Sequence, residues 1–118
     1  MPHPVEIKVH QVSRMLEIAF DSGASFRLPF EYLRVYSPSA EVRGHGPGQE
    51  VLQAGKKDVG VAKLEPVGNY AIQIHFSDGH NTGIYSWDYL LELGEKQTLW
   101  WNAYLERMQQ AGSSREAK

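Results

Sequence analysis

The stretch IAFDSG, residues 18–23, decides the predicted fold. Ile18 and Phe20 alternate with smaller or polar residues, and the Asp-Ser-Gly that follows has the composition of a tight turn. A second strand returns towards Leu28, so the segment predicts a β-hairpin. The pattern recurs as IHFSDG, residues 74–79, with Ile84 at the offset of Leu28. Two interpretations are open: a structural pseudo-repeat, or two short hairpins that resemble each other by chance.

The flanking sequence extends both hairpins. Tight turns join antiparallel strands, because parallel neighbours need crossovers of about a dozen residues or more. We therefore predict an α+β fold, with one or two antiparallel sheets built from two hairpin–helix units and a long C-terminal helix packed on one face. The predicted strands are 5–9, 16–20, 25–28, 59–66, 70–76 and 82–85, and the predicted helices are 30–35, 87–93 and 96–110.

Composition restricts the class of protein. The 118 residues are enough for one core, and we expect a single domain over 1–110 with a disordered tail at 111–118. No apolar run approaches the ~20 residues that span a bilayer, and no signal-peptide pattern is present, so we expect a cytoplasmic protein. A net charge of −2 argues against nucleic acid or an anionic membrane as the main partner. Without cysteine, this chain alone offers no disulfide, thiolate nucleophile or Cys-based metal site.

The segment Arg43-Gly44-His45-Gly46-Pro47-Gly48-Gln49 is the least regular part of the sequence. Its alternate glycines indicate backbone conformations closed to other residues, or a close approach to a ligand. It matches neither a Walker A motif nor a dinucleotide fingerprint. One interpretation is a rigid surface loop. The other is a binding loop formed by Arg43, Gly44, His45, Gly46 and Gly48, with Arg43 and His45 as its reactive groups.

Two histidines flank the second hairpin turn. His75 faces away from Ile74 and Phe76 on its strand, and His80 follows the turn. Histidine is the commonest metal ligand, so a zinc or iron site formed by His80 with His45 or His75 is one hypothesis. Zinc requires three or four protein ligands, however, and no local spacing supplies them.

Catalytic signatures are weak. No Gly-x-Ser-x-Gly elbow is present, and the serines have ordinary explanations as turn or capping residues. An acid–base pair formed by His80 and Asp78 is the remaining enzymatic hypothesis. We expect the chain not to be an enzyme.

The sequence resembles a known family at two motifs, LRVYSPSAEVRGHGPG (residues 33–48) and GNYAIQIHFSDGHNTGIYSWDYL (residues 68–90). The family is that of small bacterial proteins equated with the N-terminal domain of gamma-butyrobetaine hydroxylase. Similar domains stand at the N-terminus of gamma-butyrobetaine and trimethyllysine dioxygenases and at the C-terminus of a plant P-loop ATPase that carries iron–sulfur clusters. The resemblance implies an α+β accessory domain, linked through its relatives to iron–sulfur or iron-enzyme biology.

The resemblance also implies a comparison with a zinc module. In the dioxygenases, three cysteines and a histidine that follows Asp-Gly are the ligands. The histidine corresponds to His80, whereas the cysteines correspond to Ser37, Ser39 and Val42. Because three of the four ligands are missing, the same zinc site cannot form. The oxygenase iron belongs to a separate domain of those proteins and does not carry over.

We therefore expect a non-catalytic accessory or interaction domain with a protein partner. Its proposed surface combines residues 43–49 with the turn at 78–80. A metal-binding protein that uses His80 with His45 or His75, and a small enzyme that uses His80 and Asp78, are the alternatives.

Overall fold

A first antiparallel sheet opens the chain. The computed structural model describes residues 2–43 and 51–116. Strands β1 (Pro4–His10), β2 (Met15–Phe20) and β3 (Ser25–Pro29) pair in that order. Their register places Ile18 opposite both Ile7 and Phe26. Helix α1 (Phe30–Val35) follows β3 directly, and the four-residue helix α2 (Ala40–Arg43) comes after it.

A second sheet repeats this arrangement. Strands β4 (Val61–Val67), β5 (Ala71–Phe76) and β6 (Ile84–Ser86) pair in chain order and are antiparallel. Helix α3 (Trp87–Glu95) begins after Ser86, whose hydroxyl accepts a hydrogen bond from the Tyr89 N–H at 3.1 Å. The long helix α4 (Gln97–Gln110) completes the fold. The predicted α+β class, with two hairpin–helix units, is confirmed.

The two hairpin turns have the same backbone geometry. Gly23 and Gly79 both adopt positive φ, +92° and +88°. Each glycine N–H donates to the carbonyl three residues earlier, in Phe20 or Phe76, at 3.0 and 3.1 Å. The phenylalanine N–H then donates to the carbonyl of the residue after the glycine, which is Ala24 or His80. This is a type I turn followed by a left-handed residue, so the IxFxxG echo is a structural repeat.

One hydrophobic core joins both sheets to α1 and α3. The alternating residues of β2 and β5 supply most of it, because every second side chain of a strand faces the same side. Buried tyrosine hydroxyls find backbone acceptors across the core: Tyr32 donates to the Leu93 carbonyl at 2.7 Å, and Tyr85 donates to the Leu33 carbonyl. A smaller cluster of Val35, Tyr104 and Met108 fixes α4. None of the described helices has both the length and the apolar character needed to cross a membrane.

Two segments differ from a simple reading of the sequence. Residues 40–43, where no helix is predicted, form α2, because the backbone N–H groups of Val42 and Arg43 both reach the Ser39 carbonyl at 3.0 Å. Near the C-terminus, Ser114 and Arg115 make backbone hydrogen bonds to Gly55 and Lys57. These contacts argue against disorder at 114–116, while the domain limits of 1–110 and 111–118 stay predictions.

The shared turn geometry predicts a matched cost at both glycines. A Cβ at Gly23 or Gly79 meets no atom within 4 Å, so an alanine there introduces backbone strain without a clash. We expect Gly79→Ala and Gly23→Ala each to lower the free energy of unfolding by about 1 kcal/mol, and Gly79→Asn to cost less, because asparagine tolerates left-handed conformations better. Urea denaturation measures this. An alanine variant as stable as wild type would contradict the assigned turn.

Candidate functional site

A buried histidine connects the second hairpin to the segment after α1. His80 Nε2 lies 2.8 Å from Ser37 Oγ, and His80 Nδ1 lies 3.2 Å from Glu41 Oε2. Beside this chain, Ser39 Oγ lies 2.8 Å from Thr82 Oγ1, which donates to Glu41 Oε1 at 3.3 Å. We call Ser37, Ser39, Glu41, His80 and Thr82 the hairpin-tip cluster. It joins positions about 40 residues apart in sequence.

Local structure explains why these side chains face one another. Ser39 begins α2, and its hydroxyl accepts a hydrogen bond from the Glu41 N–H at 3.1 Å, which places Glu41 on the first turn. Ser37 Oγ also accepts from the Ser39 N–H at 3.3 Å. Close packing requires glycine at position 83, because a Cβ there would overlap Ser37 Oγ. The cluster is therefore held by backbone as well as side chains.

An ion-paired aspartate lies next to the cluster. Asp78 Oδ2 accepts from Arg34 Nε at 2.9 Å and from Lys56 Nζ at 2.6 Å. Asp78 Oδ1 accepts from the His80 backbone N–H at 3.2 Å, so the carboxylate also closes the turn. Among the hydrogen bonds of the described residues, none joins Asp78 to the His80 ring. The structure thus gives Asp78 a different partner from the one that the acid–base hypothesis needs.

Both groups have shifted pKa values. Burial alone raises the pKa of Asp78, but the hydrogen bonds from Lys56, from the His80 N–H and from Arg34 outweigh it and hold this pKa at about 2. Burial lowers the pKa of His80, and the charge of Arg34 lowers it further. The hydrogen bond to Glu41 and the charge of Asp78 oppose this effect without overcoming it. The imidazole is therefore neutral at pH 7.

The described residues on either side of the predicted binding loop lie together at the end of α2. Arg43, at the end of α2, places its guanidinium carbon 4.9 Å from the ring centroid of Tyr89. The Val51 N–H donates to the Val42 carbonyl at 2.8 Å, so the residues on either side of 44–50 lie together. Four of the predicted loop residues, Gly44, His45, Gly46 and Gly48, lie outside the described residues.

Two of the three predicted metal ligands, His75 and His80, lie in the described part of the chain, and each is close to other side chains. His75 Nε2, on β5, lies 2.7 Å from Glu65 Oε1 on β4, and both ring nitrogens of His80 face Ser37 and Glu41. Within residues 2–43 and 51–116, no group of three or more His, Cys, Asp or Glu side chains is arranged to hold a metal ion. Metal binding by His80 with His45 or His75 stays a prediction.

The order of contacts Ser37–His80–Glu41 is that of a serine hydrolase triad. Ser37 is only 1% exposed and the His80 side chain only 2%, whereas a nucleophile must reach its substrate. The hydroxyl is also engaged by a backbone N–H. With Ser37 and His80 buried, the three side chains can hold their segments in position and stabilise the fold. The carboxylate of Glu41, whose side chain is 65% exposed, is the part of this arrangement that solvent reaches.

Most of the chain matches one known protein family. The family described as gamma-butyrobetaine hydroxylase-like, N-terminal, matches residues 7–91, a range that includes both hairpins, α1, the first five residues of α3 and the whole hairpin-tip cluster. The chain belongs to this family.

Three solved structures share the fold. Two NMR solution structures of proteins are 44% and 49% identical to this chain, with TM-scores of 0.86 and 0.85. They match over 100% and 99% of this chain and over 93% and 87% of their own. A crystal structure of a DUF971-family protein of unknown function from Acidithiobacillus ferrooxidans is 43% identical, with a TM-score of 0.66, over 78% of this chain and 92% of that one. No curated protein matches the chain.

The gamma-butyrobetaine hydroxylase-like family raises the question of zinc, and the residues present do not fit it. At the positions that correspond to the three cysteines stand two neutral hydroxyls, Ser37 and Ser39, and Val42, which is buried. Zinc in such sites is bound by thiolates and imidazoles. Hydrogen bonds join Ser37, Glu41 and His80 instead, so each ring nitrogen of His80 already has a partner.

Sequence reasoning predicted a functional role for only one of the five residues of the hairpin-tip cluster, His80. Glu41, Arg34 and Lys56 carried no signal, because their partners are distant in sequence. Ser37 and Ser39 were given ordinary turn and capping roles, although they stand where the resemblance places metal ligands. That correspondence was the one available sign that Ser37 and Ser39 meet His80.

The neutral, buried imidazole predicts acid sensitivity. The pKa of His80 is lower in the folded chain than its ordinary 6.5, so between the two values the unfolded chain binds more protons. The contribution of His80 is therefore complete above about pH 6.5 and is lost as the pH falls through the lowered value. We expect urea denaturation to show the free energy of unfolding declining below pH 6.5, and less steeply in His80→Gln. Equal slopes in the two proteins, or an NMR titration of His80 above 6.5, would contradict this.

Proposed function

We propose that this gamma-butyrobetaine hydroxylase-like domain is a non-catalytic, cytoplasmic interaction domain, whose partner is a protein that docks on α2 and the second hairpin turn. The link to iron–sulfur or iron-enzyme biology rests on the family resemblance. One observation carries the proposal. The potentially reactive side chains of the hairpin-tip cluster, Ser37 and His80, are buried and hydrogen-bonded, while the residues at its rim are exposed and charged.

The rim offers contacts suited to a protein surface. Glu41, Arg43, Asn81 and Thr82 are exposed and lie on two neighbouring segments joined through His80. Both signs of charge are present, which favours selection of a complementary partner rather than attraction to any polyanion. The buried hydrogen bonds hold α2 and the turn in one arrangement, and a preorganised surface loses less entropy on binding.

Charge reversal at the rim tests this proposal. We expect Arg43→Glu to reduce recovery of the partner by about tenfold in a quantitative pull-down from extract of the source cells, since a lost attraction and a new repulsion together amount to about 1.4 kcal/mol. Lys8→Glu, an equal charge change at an exposed position on β1, is the control and should recover the partner like wild type. Thermal melts establish that both variants are folded.

The opposite outcome is equally clear. A docking surface requires a protein that wild type and Lys8→Glu both recover and Arg43→Glu loses. If no recovered protein behaves in this way, the rim is not a docking surface. A partner lost equally from both variants would place the contact elsewhere or assign it to general charge.

A serine-directed probe separates binding from catalysis. A fluorophosphonate reacts with an activated serine that solvent can reach, so we expect no labelling of Ser37 above that of Ser37→Ala, measured by intact-protein mass spectrometry. The burial of Ser37 is the reason. Stoichiometric labelling that disappears in Ser37→Ala and in His80→Gln would overturn the non-catalytic assignment.

A further inference from the structure

A buried carboxylate far from the hairpin-tip cluster holds an arginine of the C-terminal tail. Glu31, on α1, has a side chain only 6% exposed. Its Oε2 accepts from Arg115 Nε at 2.8 Å and its Oε1 from Arg115 Nη2 at 2.7 Å. Two parallel hydrogen bonds of this kind require a guanidinium, because an ammonium cannot make both. In the described part of the chain, Arg115 is the one cation paired with Glu31.

Two aromatic side chains of α4 complete the seat of this guanidinium. Tyr104 donates its hydroxyl hydrogen to Glu31 Oε2 at 2.8 Å and so fixes the carboxylate. Arg115 also lies over Trp101, with its guanidinium carbon 5.2 Å from the ring centroid. A carboxylate, a flat indole and a positioning hydroxyl thus surround the arginine. We call Glu31, Trp101 and Tyr104 the arginine seat.

Backbone hydrogen bonds hold the chain on each side of Arg115. The Ser114 carbonyl accepts from the Gly55 N–H, and the Arg115 carbonyl from the Lys57 N–H, both at 2.9 Å. Lys57 Nζ also reaches Glu116 Oε1 at 2.9 Å. Backbone hydrogen bonds supply affinity and one side chain in a pocket supplies selectivity, a combination by which proteins recognise peptide segments.

A helix-ending motif directs the tail to this seat. Gly112, at a φ of +64°, donates to the Gln109 carbonyl at 3.1 Å, and Ser113 donates to the Met108 carbonyl at 3.0 Å. This Schellman arrangement reverses the chain after α4. The tail itself is polar: Ser113, Ser114 and Glu116 are exposed, so nothing apolar fixes it in place. Arg115 supplies the specific contact.

We propose that the arginine seat recognises arginine in a peptide segment of another protein, and that residues 113–116 occupy it in cis. The seat needs a cation, because an unpaired buried carboxylate is costly. The tail can leave, because it is held by the Arg115 side chain, one exposed ion pair and a few hydrogen bonds. Exchange of the tail for a partner's arginine satisfies Glu31 in both states, so the tail competes with the partner.

The seat is also connected to the other site. Lys56 stands between Gly55 and Lys57, the two residues that bind the tail, and its ammonium contacts Asp78 at 2.6 Å. Occupation of the arginine seat therefore affects residues 55–57, the segment whose Lys56 supports the second hairpin turn. The recognition of arginine does not depend on this connection or on the docking surface proposed above.

A peptide supplied in trans tests the proposal in the full chain. The probe is the acetylated peptide Gly-Ser-Ser-Arg-Glu-Ala-Lys, the sequence of residues 112–118, and the control peptide has alanine in place of arginine. In Arg115→Ala the seat is empty, whereas in wild type the tail competes at an effective concentration in the millimolar range. We expect the arginine peptide to bind Arg115→Ala about tenfold tighter than wild type, followed by NMR shifts of the Trp101 indole and the Gly55 and Lys57 amides.

Matched variants decide between recognition and a merely structural anchor. Glu31→Gln combined with Arg115→Ala keeps the shape of the seat and removes its charge, so peptide binding should be lost. If folded Arg115→Ala treats the two peptides alike, the tail is only an anchor and the proposal is wrong. Should Arg115→Ala not fold, Arg115→Lys replaces it: preference for the arginine peptide then supports recognition, and equal binding overturns it.

Discussion

The arrangement of the two hairpin–helix units depends on the hydrogen bonds of the neutral His80 imidazole. This ring lies at the end of the second hairpin turn and meets Ser37 and Glu41, which follow the first hairpin–helix unit. Both ring nitrogens are used, so the buried ring has a polar partner on each side. Protonation would introduce a charge that burial and Arg34 both oppose. An uncharged ring therefore makes a polar link between the units, beside the hydrophobic core that they share.

The repeated hairpin shows how one backbone design carries two roles. Both turns place glycine at positive φ and return the next residue to the same hydrogen bond. In the first copy that residue is Ala24, which packs against the core. In the second it is His80, which organises the hairpin-tip cluster. One side-chain difference at equivalent positions thus distinguishes a scaffolding turn from a turn that supports a polar site.

Hydrogen bonds join the segments at the positions where the family resemblance implies zinc ligands. Zinc joins its ligands through one strong centre, whereas Ser37, Glu41 and His80 join the same segments through separate, directional contacts. Such a network depends on every partner being present, because a buried polar group without one is destabilising. The serines at 37 and 39 are therefore not inert replacements. They hold the segment that leads into α2.

The sequence by itself determined the strands, both hairpin turns, α1, α3 and α4, because alternation, glycine and capping residues act over a few neighbours. It showed the IxFxxG echo but left open whether this is a structural repeat, which the shared turn geometry decided. The tertiary structure decided which polar residues meet: Ser37 and His80 are 43 positions apart, and Glu31 and Arg115 are 84 apart. It also decided that the ring of His80 faces Glu41 rather than Asp78. Periodicity records which side of an element is buried, whereas these pairings arise only when the chain reverses and brings separate elements together.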